Sequence, residues 1–276
     1  LILRLFFSSA VHAAVADTTG HEQASQTVLE LPNFITLITK YFHEHAWAQF
    51  LHRWENIVFS GVALVLLLAV TIIGARRAAM IPGRFSAAVE WAVESLDRFI
   101  CDVLGARGRK YVPFLGTLFL YILFMNYMGM VPFLKAPTSA LNVTAGLAIT
   151  VFLYVQYTGV RRLGVIGYLD HFAGEPRSVI QWVLVPLMVP LHVVSELAKP
   201  LSLSLRLFGN ITGEDVLIYI FAVLGVAALA SLGSPVGIPL QVPFIFLSLL
   251  LGFIQALVFT LLSTLYFLMM LPHEEH

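Results

Sequence analysis

From Val179 to Ala230 the chain stays apolar for far longer than one bilayer crossing needs. As a straight helix this stretch would measure about 78 Å, over twice the roughly 30 Å hydrocarbon core. Pro186, Pro190 and Pro200 interrupt it, so it must tilt steeply, bend at its prolines or break in two. Its polar residues do not scatter. With His192 taken as zero, Glu196, Lys199, Arg206, Asn210 and Glu214 all fall within about 40° on a helical count. One polar seam runs along an otherwise greasy helix.

Arg206 is the costliest member of the seam, with Leu201, Leu203, Leu205, Leu207 and Phe208 around it. A cation at the bilayer centre costs roughly 2.5 to 3.5 kcal/mol on insertion scales. A guanidinium cannot shed its proton, so a partner or water must answer the charge. The nearest seam acids, Glu196 and Glu214, lie beyond the three-to-four-residue reach of helical pairs. The counter-charge is therefore expected elsewhere in the fold or on another subunit.

Composition sets the class. Hydrophobic residues make up 59% of the chain and charged residues only 12%, about half the charged share of soluble domains. Several apolar runs approach twenty residues, so the expected fold is an all-α polytopic membrane protein. It comprises three ordinary spans, a surface amphipathic helix and a long tilted C-terminal helical hairpin. A formal net charge of +0 argues against a nucleic-acid partner. The single cysteine, Cys101, excludes an internal disulfide framework and a thiolate zinc cage. No Gly-x-x-x-x-Gly-Lys-Ser/Thr motif is present, so any nucleotide chemistry of that kind belongs to a partner.

The run Lys199-Pro200-Leu-Ser202-Leu-Ser204-Leu-Arg206-Leu-Phe-Gly209-Asn210 resembles the signature of subunit a of the F-type ATP synthase membrane sector. The resemblance extends over most of the chain from about residue 54. It implies the stator half of a rotary ion path. The partners would be a c-ring of small carboxylate-bearing subunits, the peripheral-stalk subunit b and the rest of the synthase. Two offset half-channels would reach the ring from opposite sides, with Arg206 between them. No cofactor is implied, and catalysis would sit on partner subunits.

The remaining segments arrange themselves around this one. Residues 1–16 contain Arg4, a short apolar run and Ala14-x-Ala16, resembling a secretory signal peptide; the rival reading is a mis-assigned start. Residues 17–53 read as a polar exported tail. Residues 54–276 form the integral membrane domain. His43 and His45, two apart, face different ways on a helix, and nothing completes a ligand set with them or with His52. The terminal His273-Glu-Glu-His276 reads as a frayed charged end. No metal site is expected.

Segment 57–75 is the first span, closed by Arg76 and Arg77. Val89, Val93, Leu96, Ile100 and Val103 then recur at helical spacing opposite Glu90, Glu94, Asp97 and Arg98, an amphipathic helix on the membrane surface. Spans at about 112–134 and 141–160 follow, carrying Asn126 and Asn142-Val-Thr144. Cations crowd residues 76–112 and 161–178 and are nearly absent from the opposite loops. The positive-inside rule puts those segments and the C-terminus in the cytoplasm and the N-terminus outside. That orientation suits a bacterial-type inner membrane.

The last helix, about 240–271, repeats the seam in neutral form. Gln241, Ser248, Gly252, Gln255 and Tyr266 lie within about 40° of a common direction, hydrogen-bonding groups with a glycine gap suited to facing the charged seam. Gly252-Phe-Ile-Gln255 resembles the family's final helix, where a glutamine lies near the key arginine. Glu196, His192 and the pair Glu214-Asp215 are candidates for channel lining, since desolvated carboxylates and imidazole can titrate near neutral pH. The chain departs from the family in places. Many members carry an acid where His192 stands, and some a histidine where Ser248 stands. Asp215 occupies a family carboxylate position but projects about 140° from the seam's zero. A different reading of the same arginine is a secondary transporter binding an anionic solute at Arg206. Such proteins carry broken helices in both halves, whereas this charged seam occupies one.

Overall fold

The computed structural model describes residues 35, 50–51, 53–76, 83–131, 133–172, 179–230 and 239–270. The signal-like start, nearly all of the tail with His43, His45 and His52, and the terminal His273–His276 lie outside them. The described residues form helices α1 Glu55–Arg76, α2 Arg84–Leu104, α3 Val112–Met128, α4 Leu141–Phe172, α5 Val179–Ala230 and α6 Val242–Met269. Short 3-10 turns occupy Ala106–Tyr111 and Pro137–Ser139. Five stretches among them are long and apolar enough to cross a membrane, in α1, α3, α4, α5 and α6. The chain is an all-α polytopic membrane protein.

Of the alternatives open to the long apolar stretch, breakage is excluded. α5 is one helix of 52 residues with Pro186, Pro190 and Pro200 inside it. Apolar surroundings make an unpaired backbone group expensive, so a helix in lipid absorbs prolines rather than unwinding at them. α3 stops earlier than its apolar run, at Met128, not near residue 134. Gly129 is the reason: a Cβ there would stand 2.6 Å from the Cβ of Ala136. The chain turns at this point and doubles back. α2 is amphipathic as read, with Ser86, Leu96, Ile100 and Leu104 buried, while Trp91 and Val93 are exposed. Gly105, at φ 70°, ends it with its amide donating to the Cys101 carbonyl, a backbone state glycine adopts without penalty.

Contacts group the chain into two units. The first holds residues up to Leu66, Ile122–Ala140 and Gly209–Gln255; the second holds Leu67–Tyr121, Leu141–Phe208 and the chain from Ala256. In the second unit Phe267 of α6 is fully buried. Its ring lies 4.7 Å from Tyr111 and 5.3 Å from Tyr154, and Tyr154 is 4.7 Å from Phe114. This tilted and edge-on packing of α3, α4 and α6 suits the aromatic quadrupoles. In the first unit Phe221 of α5 stacks on Phe244 of α6 at 3.9 Å.

α4 conceals a break. Gly164 sits at φ 72° and ψ 167°, a region open essentially to glycine alone. Everything after it changes direction.

Candidate functional site

The residues of α5 around Arg206 divide by exposure. Leu203, Ser204, Leu207 and Ile211 are buried, whereas Leu201, Ser202, Leu205, Arg206, Gly209, Asn210, Gly213 and Leu217 are exposed. Arg206 thus stands on a face that the described residues leave exposed, with the small Ser202 and Gly209 one turn to either side. Among the described residues of its own unit, no carboxylate lies within ion-pair distance of it. The counter-charge expected beyond i,i+4 reach is not supplied there.

One turn and more before Arg206, the second unit builds a polar cluster. Lys199 Nζ donates to Glu196 Oε1, and their side chains are only 14% and 15% exposed. The amide of Gln156 on α4 donates from Nε2 to Glu196 Oε2 at 2.9 Å. The ring of Tyr266 on α6 lies 5.4 Å from Lys199 Nζ, a cation–π contact, and feels the charges of Arg206 and Glu196. Glu196, Lys199, Pro200, Leu203 and Tyr266 line a cleft closed by Val151 and Val155 of α4, with room for about one water. His192 lies one turn earlier, half-buried. Here the charged seam and the neutral stripe of α6 do meet.

In the first unit Glu214 continues the seam and Asp215 follows it off the seam's face, both half-buried. The Glu214 carboxyl hydrogen-bonds the hydroxyl of Ser248 on α6, while its second oxygen, Oε2, is buried with no partner among the described residues. Ser248, Gly252 and Gln255 are buried and Gln241 half-buried, as the stripe requires. The glycine gap serves another neighbour, however. Gly252 faces α3: a Cβ there would meet Asn126 Cβ at 3.3 Å and the Tyr127 ring at 3.4 Å. Asn126 Nδ2 donates to the Gly252 carbonyl at 2.9 Å, Tyr127 donates to the Leu249 carbonyl at 3.1 Å, and Thr138 donates to Asn126 Oδ1 at 2.8 Å. Asn126 is therefore a satisfied interhelical clamp, fitted by the close approach that glycine permits. Lys135 and the nearly buried Glu55 stand 3.9 Å apart in the same unit.

Gln156, Tyr168, Glu55 and Lys135 were not singled out from sequence as site residues. Gln156 carried a signal, being one of two amides, with Asn142 at the start, in the apolar run 141–160, the kind of intramembrane polar residue that marks a functional position. Tyr168 carried none, because it becomes relevant only through the break at Gly164.

The model of the family "ATP synthase A chain" matches residues 57–268. A subunit named "ATP synthase subunit a" from Protochlamydia amoebophila is 52% identical over 256 residues, covering 93% of this chain and 94% of the relative. Proteins of the same name from Solidesulfovibrio magneticus and Moorella thermoacetica are 40% and 35% identical, covering 80% and 77% of this chain. None of these three is named as a solute transporter. With a family model matched across its whole membrane portion and relatives covered nearly end to end, this chain belongs to the ATP synthase subunit a family.

Proposed function

We propose that the chain is the proton-translocating stator subunit of an F-type ATP synthase, non-catalytic itself, working against a rotating c-ring. One observation supports the reading: Arg206 stands on an exposed face of α5, with Ser202 and Gly209 one turn to either side, and no carboxylate among the described residues of its own unit lies within ion-pair distance. A ring of carboxylate-bearing helices supplies both the missing surface and the missing charge. As each ring carboxylate passes, the guanidinium favours its ionised form and bars protons from crossing directly between the channels. Glu214, Ser248, Asp215, Asn210 and Gln255 line the outer half-channel. His192 and Glu196 line the inner one. Subunit b docks on the same stator, the N-terminus is outside and the C-terminus cytoplasmic, in a bacterial-type inner membrane.

With a second cysteine placed on the outer face of the small ring subunit, cysteines at Ser202 and Gly209 should each form a disulfide to it in membranes treated with an oxidant, whereas one at Leu203, on the buried side, should not. Cross-linking from Leu203 but from neither of the others would place the ring on the wrong face.

Within the outer channel, the Glu214–Ser248 contact predicts a graded response. Glu214→Gln, which cannot exchange a proton, should lower ATP synthesis about tenfold or more, in the range of lost acid–base groups. Ser248→Ala should lower it only a few-fold. Equal rates for wild type and Glu214→Gln in a synthesis assay would remove Glu214 from the relay.

A further inference from the structure

On an unbroken helix, residues twelve apart are separated by about 18 Å along the axis. Yet the Tyr168 hydroxyl donates to Oε1 of Gln156, twelve residues earlier in the same α4. The left-handed break at Gly164 folds the chain back and makes this contact. Gly159 makes room for it, because a Cβ there would stand 3.2 Å from Tyr168 Cε2 and 3.1 Å from Met270 Sδ. Two glycines, one for the turn and one for the seat, bring the phenol to the amide.

That contact has a chemical consequence. A glutamine amide can be flipped end for end, and its neighbours decide which end faces which partner. A carboxylate only accepts, so the NH2 of Gln156 must face Glu196, to which it donates at Oε2 at 2.9 Å. The amide oxygen is then left to the Tyr168 hydroxyl, which donates to it. Lys199 takes the other oxygen of Glu196. Were the amide reversed, its oxygen would face the carboxylate and repel it.

We infer that Tyr168 and Gln156 are positioning residues for Glu196, the carboxylate and the phenol together fixing the amide and the amide holding the carboxylate beside Lys199, and so tuning proton uptake at the inner half-channel. Lys199 pairs with the same carboxylate and Tyr266 of α6 feels its charge, while His192 and Arg206 are the other titratable or charged side chains on this stretch of α5. Tyr168, beyond the crossing portion of α4, has its own phenol pushed up by burial and further by the Glu196 charge, which keeps it a donor. The inference rests on the reading of Glu196 as part of the inner half-channel.

The test is ATP-driven proton uptake by the whole synthase in inverted vesicles, followed against the pH of the outer buffer, which bathes the cytoplasmic face. Tyr168→Phe and Gln156→Met keep the bulk of each side chain and remove the hydrogen bonds. Each should displace the pH midpoint from that of wild type by about one unit, the size expected for a lost hydrogen bond to a charged group. Because the two act in series, the double variant should shift no further than Gln156→Met alone. Glu196→Gln separates the two levels of the argument. A wild-type profile in Glu196→Gln overturns the inner-channel reading itself. An altered profile there, with unshifted midpoints in Tyr168→Phe and Gln156→Met, overturns the positioning inference alone, even if the amount of complex falls.

Discussion

Replacing Arg206 with alanine is expected to abolish proton-driven ATP synthesis while the chain remains in the membrane. The residue lies on an exposed face of α5 between buried Leu203 and Leu207, so its removal leaves no hole in the packing of this chain. It also removes a cation whose insertion costs roughly 2.5 to 3.5 kcal/mol, so membrane retention is not threatened. On the proposed function, what is lost is the fixed charge that would ionise each passing carboxylate and separate the channels. Arg206→Lys should also fail in large part, because a desolvated ammonium can give up its proton and a guanidinium cannot. The measurements are ATP synthesis in energised vesicles and the amount of subunit in the same membranes. Coupled synthesis above background in Arg206→Ala would remove the central residue from the mechanism.

Gly252→Val should have the largest effect on folding. The Cβ alone would come within 3.3 Å of Asn126 Cβ and 3.4 Å of the Tyr127 ring, so Gly252→Ala should be tolerated with a small adjustment. The two γ-methyls of valine have nowhere to go without moving α3, and that movement pulls Asn126 and Tyr127 off the Gly252 and Leu249 carbonyls. Overpacking of this kind costs about 1 to 3 kcal/mol, and each interhelical bond adds on average about 0.6 kcal/mol. Denaturation of the purified complex in SDS, with the amount of full-length chain in membranes as a second readout, should rank wild type, Ala and Val in falling order. A valine variant as resistant as wild type would show that α3 does not approach α6 as closely as the glycine suggests.

These two residues also mark how far the sequence could be read. Arg206 was legible because the cost of a charge in lipid is a property of the residue and its immediate neighbours. The stripe on α6 was legible for a related reason: helical periodicity gives each side chain a direction. Periodicity does not say which neighbour lies in that direction. Gly252 was read as a gap toward the charged seam, and it receives α3 instead. The end of α3 was missed because Gly129 among apolar residues gives no local sign that Ala136 will return against it. Gly164 lies past the span read at about 141–160, in a stretch read only for its cations, yet its positive φ decides where Tyr168 goes.

Membrane class, helices and polar seam can all be read along the chain, since lipid penalises every unsatisfied polar group and every charge one residue at a time. Which groups meet emerges with the packed helices: Glu196 with Gln156 and Lys199, Glu214 with Ser248, Asn126 with Gly252. Those pairings depend on close approach between segments up to 126 positions apart. Close approach is set by a few glycines and their backbone angles, which the pattern of polar and apolar residues along a helix does not encode.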